Sequence, residues 1–241
     1  MRAEYLVGTS GWNYDHWKGR FYPKGLPQKR WLEFYAREFD TVEVNYSFYR
    51  WPSEKTMAGW YERAPANFKF TLKAPRTITH VKKLNAVEKW LDDFYKLTGL
   101  LKEKVGCHLF QLPPSLRRTD DTLELLRKFL PALDVTKDNA VEFRHKSWWD
   151  EEVYDLLRNH NVTFCTVSGL DMPEDIVATA DAAYFRFHGE RYATRYRQAA
   201  LDEYAAAINK LECKKVYAYF NNDAQAYAVV NAKELRESLA K

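Results

Sequence analysis

Eight short runs rich in β-branched and aromatic residues recur along the chain, each followed by turn residues and then by helical periodicity. The runs lie at residues 5–9, 41–45, 68–72, 105–111, 140–144, 163–167, 183–188 and 216–220. After the third run, Val87, Trp90, Leu91, Phe94, Leu97 and Leu101 form one apolar stripe at helical spacing. Thr119, with Asp120 and Asp121 behind it, reads as the N-cap of the next helix, whose apolar face is Leu123, Leu126, Phe129 and Leu130. Leu201, Tyr204, Ala205, Ile208 and Leu211 mark a helix after the seventh run, while the sixth unit, residues 173–180, predicts only a short or irregular helix. Strict alternation implies parallel strands and right-handed crossovers. Eight units in 241 residues match a single (β/α)8 TIM-type barrel domain spanning residues 1–241. An open doubly wound sheet is the alternative, but Gly8-Thr9-Ser10-Gly11 is not the G-x-G-x-x-G turn such sheets usually carry.

A chain of this length, with 16% aromatic residues, can bury a large core without staples. Its three cysteines, Cys107, Cys165 and Cys213, are odd in number and widely spaced. They read as reduced, buried strand residues rather than a disulfide or zinc framework. No apolar run is long enough to span a bilayer, and Met1-Arg2-Ala3-Glu4-Tyr5 lacks the apolar stretch of a signal peptide, so a soluble, cytoplasmic protein is expected. The net charge of +4 is uneven. Residues 1–120 carry 21 Lys/Arg against 13 Asp/Glu, or +8, and residues 121–241 carry 16 against 20, or −4. That excess permits an anionic partner without demanding one. No membrane or protein partner is indicated.

Side-chain parity then sorts the strands. If Val42 and Val44 face the helices, Glu43 and Asn45 point into the barrel. The same logic turns Lys69, Thr71 and Lys73 inward in the third strand, Glu142 and Arg144 in the fifth, and Tyr184, Arg186 and His188 in the seventh. Charged groups in a lumen usually filled by branched aliphatics must pair or sit near solvent at the mouth. Asn45, Lys73, Gln111, Arg144, His188 and Asn221 all fall at or near the C-terminal strand ends. A self-neutralising ion network that merely fills the barrel is the plain alternative.

The loops of that face interleave rings with basic residues. The first holds Trp12, Tyr14, Trp17, Phe21, Tyr22 and Trp31 among Lys18, Arg20, Lys24, Lys29 and Arg30. Tyr46, Phe48, Tyr49, Arg50 and Trp51 follow the second strand, and Lys73 to Lys83 carries four basic residues and no acid. His145-Lys146-Ser147-Trp148-Trp149 and then Arg191, Tyr192, Arg195, Tyr196 and Arg197 complete the rim. Charge for phosphates and rings for bases suit an unstacked nucleic acid, and sugars also stack on such rings. Part of this set is expected to pack beneath the loop instead. No P-loop, H-E-x-x-H or G-x-S-x-G motif is present. His80, His145, His188, Glu43, Glu142 and Asp223 could reach a divalent cation, but the neighbouring Lys and Arg argue against one, and no cofactor can be read from the sequence. His108 and His160 read as structural.

These segments resemble the YecE-like domain-of-unknown-function 72 family. The resemblance rests on Gly8-Thr9-Ser10-Gly11-Trp12 with Phe21-Tyr22-Pro23, Val42-Glu43-Val44-Asn45 with Phe48-Tyr49-Arg50, and Phe70-Thr71-Leu72-Lys73-Ala74-Pro75 with Thr79-His80. It continues through Phe110-Gln111-Leu112-Pro113-Pro114-Ser115, Val141-Glu142-Phe143-Arg144-His145 with Trp148, Phe185-Arg186-Phe187-His188-Gly189 and Tyr219-Phe220-Asn221-Asn222. The resemblance implies a TIM-like barrel and supplies no reaction. Likening that fold to metal-dependent apurinic endonucleases suggests a nucleic-acid role by analogy, although the full His/Asp/Glu zinc cluster of those enzymes is missing here.

The expectation is an enzyme, possible hydrolase chemistry included, that acts at the barrel mouth on an anionic substrate such as a nucleic acid or phosphodiester. Glu43 and Glu142 would handle protons with His188 as partner. Lys73, Arg144 and Arg186 would hold the anion. Asn45, Gln111, Asn221 and Asn222 would orient it between walls formed by Trp12, Tyr14, Tyr49 and Trp148. A non-catalytic nucleic-acid-binding barrel and a carbohydrate-active hydrolase using Glu43 and Glu142 are the alternatives.

Overall fold

The computed structural model describes residues 3–189 and 192–241. Eight parallel strands, β1 (Glu4–Thr9), β2 (Thr41–Val44), β3 (Lys69–Lys73), β4 (Val105–Gln111), β5 (Asp138–Glu142), β6 (Thr163–Ser168), β7 (Ala182–Phe187) and β8 (Lys215–Phe220), pair in the order β1-β8-β7-β6-β5-β4-β3-β2. The free edges of β1 and β2 meet at a bridge between Ser10 and Glu43, which curls the sheet into a nearly closed barrel. Around it lie α1 (Trp31–Glu38), α2 (Tyr46–Tyr49), α3 (Glu54–Arg63), α4 (Glu88–Thr98), α5 (Asp120–Phe129), α6 (Glu151–Asn159), α7 (Gln198–Ile208) and α8 (Tyr227–Ala240).

Parity along the strands divides the buried residues into two bodies. Outward residues such as Val42, Phe70, Val141, Phe185 and Phe187 pack with the helices, while Leu6, Cys107, Leu109, Cys165, Val167, Tyr184, Tyr217 and Tyr219 form a separate lumen cluster. The three tyrosines need partners for their hydroxyls inside the lumen. Tyr219 Oη lies 2.7 Å from both Thr41 Oγ1 and Thr71 Oγ1, and Tyr217 Oη donates to Asp138 Oδ2 at 2.7 Å. The lower lumen is thus plugged by side chains.

The β1–β2 seam lacks a full ladder, and two residues compensate. Gly8 lets the strands approach: a Cβ there would lie 2.3 Å from the Thr41 carbonyl oxygen. The buried hydroxyl of Tyr35 accepts from Thr9 N at 3.0 Å and donates to Thr41 O at 3.1 Å, bridging the strands in place of a backbone bond.

Two expectations need correction. Residues 169–181, between β6 and β7, contain no helix, not even a short one. Thr179 instead straps the segment to the barrel, with Oγ1 accepting from Phe164 N and donating to Val162 O, both at 2.7 Å. Cys107 and Cys165 are buried in strands, but Cys213 is half-buried in the turn before β8. The N-cap at Thr119 is as read, its hydroxyl accepting from Thr122 N. Among the described residues, no helix is long and apolar enough to cross a membrane.

Candidate active site

Glu43, Glu142 and Arg186 meet in the lumen at the level of the strand ends because β2, β5 and β7 each present an inward position there. All three are sealed from solvent. Arg186 holds Glu43 with a two-pronged contact, Nη2 to Oε1 at 2.6 Å and Nε to Oε2 at 2.8 Å, and reaches Glu142 Oε2 with Nη1 at 2.7 Å. Ser10 Oγ and Tyr184 Oη each donate to Glu43 at 2.7 Å, and Asn45 Nδ2 adds a longer bond of 3.2 Å. The other Glu142 oxygen accepts from Arg144 Nε.

Burial alone would raise both carboxyl pKa values. For Glu43, Arg186 and the hydroxyls of Tyr184 and Ser10 override burial; for Glu142, Arg144, Arg186 and Lys73 do so. Both therefore stay ionised, below the ordinary carboxylate range. Both carboxylates are enclosed and engaged, and together they hold two arginines. The position between them, where a metal could have been sought, is taken by the Arg186 guanidinium.

His188 is also fully buried. Burial, then Arg186 and Arg144, push its pKa well down, so the ring is neutral. Its Nδ1 lies 3.2 Å from Asn221 Nδ2 and its Nε2 lies 3.4 Å from Arg144 Nη2. It braces Arg144 rather than facing the cavity.

Above this network opens a cavity of about 420 Å³ lined by Tyr14, Asn45, Phe48, Tyr49, Lys73, His80, Gln111, Arg144, Arg186, Tyr192 and Asn221. Eight of the side chains expected at the site thus converge there. Trp12 instead borders an adjoining recess of about 350 Å³, whose shared wall with the cavity is made by Tyr14 and Asn45. Two expected contacts are elsewhere. A short helical turn at Lys146–Trp148 folds Trp148 back under the loop, where it stacks on Phe143 at 4.7 Å and donates Nε1–H to Leu116 O at 2.7 Å. Asn222 is buried, donating to Thr194 O and Asn231 Oδ1 at 2.9 Å each.

The first loop behaves as a satellite core. Trp17, Tyr22 and Trp31 are buried, and Asp223 ties the loop to the end of β8 by accepting from Trp17 Nε1 at 2.7 Å. His108 and His160 are structural, bonded to Thr98 Oγ1 and Leu156 O. His145 bonds Ser147 within its own turn. Arg191 lies outside the described residues. The rim that does face solvent carries Tyr46, Tyr49 and Tyr192, respectively 48%, 75% and 41% exposed, beside the exposed Arg50, Arg76, Lys82 and Lys83.

Lys73 stands apart. It ends β3 with its carbonyl accepting from Ser47 Oγ at 2.7 Å, and its Nζ lies 3.9 Å above the centre of the Phe48 ring. Although 7% exposed, the amine has no ion pair or hydrogen bond among the described residues. Burial, reinforced by Arg186, pulls its pKa down to about 7 against the opposing carboxylates Glu142 and Glu43. Ser10 was not singled out in the sequence; continuing the Leu6–Gly8 parity of β1 by one step would have placed it at the network.

A parallel barrel with a cationic cluster at the C-terminal mouth of its strands is the general class of molecule seen here. The chain belongs to the family described as "Protein of unknown function DUF72", whose model matches residues 6–241. It is similar to UPF0759 protein YunF of Bacillus subtilis, at 26% identity over 97% of this chain and 94% of that protein. It is 30% identical to UPF0759 protein YecE of Escherichia coli over 59% of this chain and 49% of that protein. A crystal structure of a DUF72 family protein from Thermotoga maritima superposes with a TM-score of 0.90 at 31% identity, covering 99% of this chain and all (100%) of that one. The structure of ZgEngAGH5_4, at a TM-score of 0.54 and 12% identity, shares the barrel fold alone.

Proposed function

We propose that the barrel mouth is the active site of an enzyme that binds an anionic, phosphodiester- or nucleotide-like substrate. The observation that carries this reading is the charge balance of one cavity. Lys73, Arg144 and Arg186 supply three cationic groups against Glu43 and Glu142, both committed to arginine, so the pocket is net positive by one when Lys73 is protonated and balanced when it is not, with the outer face of Arg144 toward the cavity in either state. Arg144 presents its outer nitrogens to the cavity with long contacts only, 3.5 Å to Tyr192 Oη and Gln111 Oε1 and 3.4 Å to His188 Nε2, leaving them available for an incoming oxyanion. About 420 Å³ suits one nucleotide-sized group rather than a duplex. Exposed rings and basic residues on the rim would carry the flanking strand. With both glutamates sealed, Lys73 is the cavity group that exchanges a proton near neutral pH. The same sealing argues against a two-carboxylate glycosidase, which needs one carboxyl able to give up a proton.

The test is fluorescence anisotropy with a labelled short single-stranded oligonucleotide, competed with inorganic phosphate. The logarithm of the affinity should fall linearly with log salt, and Arg144→Ala should weaken binding by roughly tenfold, the loss of one charge-assisted contact. Unchanged affinity in Arg144→Ala, or no binding at low salt, would remove the proposal. Binding without turnover of any phosphodiester would leave a binding barrel in place of an enzyme.

A further inference from the structure

A lysine normally keeps its charge by staying in water or pairing with a carboxylate. Lys73 does neither. The nearest carboxylates, Glu43 and Glu142, are turned toward Arg186 and Arg144, and the Nζ rests on the Phe48 ring with no bonded partner among the described residues. The side chain is nevertheless on the wall of an open cavity, so a small molecule can reach it. Its backbone is held on both sides: Ser47 Oγ donates to the Lys73 carbonyl at 2.7 Å, and Ala74 N continues the β3–β4 pairing to Leu109 O at 2.8 Å. The Phe48 face favours the charged amine, but an amine that is fixed, reachable, without a bonded carboxylate and set among cations has the surroundings that turn lysine into a nucleophile.

We propose that Lys73 forms a Schiff base with the carbonyl carbon of a substrate whose phosphate or carboxylate is held by Arg144. This rests on the anion-binding reading above and adds to it the chemical class of the reacting group. In the free-base form, the Lys73 nitrogen lone pair forms a bond to the carbonyl carbon, and the carbonyl oxygen takes a proton to give a carbinolamine. That oxygen then leaves as water with the two hydrogens the amine brought, and a C=N bond remains. No oxidant, reductant or metal enters the balance. Gln111 and Asn221, at neighbouring points of the wall, offer amide donors to the oxygen as it leaves.

The charged and titratable groups facing the amine are Glu43 from β2, Glu142 at the end of β5, Arg144 just beyond it, Arg186 from β7 and His80 from the turn after β3. The cations among them, with burial, hold the amine's pKa down to about 7. At neutral pH the free-base fraction is then about a thousandfold that of an ordinary lysine. Part of that gain is lost to lower intrinsic basicity, so a preference of at least roughly tenfold over surface lysines is expected.

The experiment is reductive trapping on the intact protein. The probes are glycolaldehyde phosphate, glyoxylate and the neutral glycolaldehyde, each with cyanoborohydride, and peptide mass mapping locates the adducts. Lys73 should be labelled at least about tenfold faster than exposed lysines such as Lys89 and Lys214, with a rate that rises through pH 7 rather than through pH 10. The two anionic probes should outpace glycolaldehyde at Lys73, and Arg144→Ala should abolish that advantage. Lys73→Arg keeps the charge and should remove the adduct; because the wild-type map already gives the result, a misfolded variant does not decide the matter. Labelling of Lys73 at or below the surface rate with all three probes overturns the Schiff-base assignment, even if phosphate still binds through Arg144. Fast labelling by glycolaldehyde with no anionic advantage instead upholds the nucleophile and overturns the anion site.

Discussion

Arg186 and Lys73 sit in one lumen and have opposite consequences for stability. Arg186 bonds two sealed carboxylates, so Arg186→Met leaves Glu43 with no bonded cation and Glu142 with Arg144 alone. Removing one partner of a buried ion pair costs about 3–5 kcal/mol, far more than the intact pair contributes. Urea denaturation at pH 7 should show a loss of that order. The deficit should shrink as pH falls, because the stranded carboxyls of the variant can then take up protons. A loss within about 0.5 kcal/mol would mean the carboxylates find water or other donors. Lys73 is the reverse case: a desolvated amine among cations opposes folding at neutral pH. Lys73→Met keeps the stem packed on Phe48 and removes that penalty, so it should stabilise the fold by about 1–3 kcal/mol while abolishing any chemistry at the mouth. A destabilised Lys73→Met would assign the residue to structure.

At the scale of elements, the weak point of the barrel is the β1–β2 seam. Gly8→Ala places a methyl group against the Thr41 carbonyl at 2.3 Å, and Tyr35→Phe leaves Thr9 N and Thr41 O without their shared bridge. Each should cost about 1–3 kcal/mol in a denaturation midpoint, the first through overpacking and the second through unsatisfied backbone groups. Equal stability in both variants would show that the seam is held by the helix layer instead. The strands themselves were legible from the sequence because a parallel barrel alternates lumen and helix faces, and that alternation also put Glu43, Lys73, Glu142 and Arg186 on the inside. Their division of labour was not legible. Parity shows that charges share a lumen but not which oxygen meets which nitrogen, so the bonding of both carboxylates to arginines could not be read in advance. Trp148 was misjudged because nearness in sequence to the mouth says nothing of a turn that folds the ring back onto Phe143. The missing sixth helix had only a weak signal, as Pro173 and scattered polar residues carry no stripe; the Thr179 hydroxyl strap uses no periodicity at all.

For the molecule as a whole, the buried titratable groups set a direction for stability against pH. His108 is pushed to about 3 and His188 well below its ordinary value, both first by burial. Each is a base whose folded pKa is depressed, so below about pH 6.5 the unfolded chain binds a proton that the folded chain refuses, and each costs up to about 1.4 kcal/mol per pH unit. Glu43 and Glu142, also depressed, contribute stability above about pH 4.3 that disappears as pH falls through their folded values. On the alkaline side, Lys73 titrates at about 7 when folded and about 10.4 when unfolded, so its penalty fades as pH rises between those values. The thiols of Cys107 and Cys165 and the hydroxyls of Tyr184 and Tyr219 are raised by burial. Above about pH 8.5–10 the unfolded chain sheds protons that the folded chain keeps, and stability must turn down again. The maximum is therefore expected at about pH 8.5 rather than in the usual range of about 5 to 8. Urea midpoints taken from pH 5 to pH 10 test this directly. They should rise from pH 5 to beyond pH 8, and Lys73→Met should flatten the limb above pH 7 while leaving the acid limb in place. A wild-type maximum at or below pH 7 would mean that Lys73 keeps its proton in the fold, with a counterion or water supplying what the lumen does not.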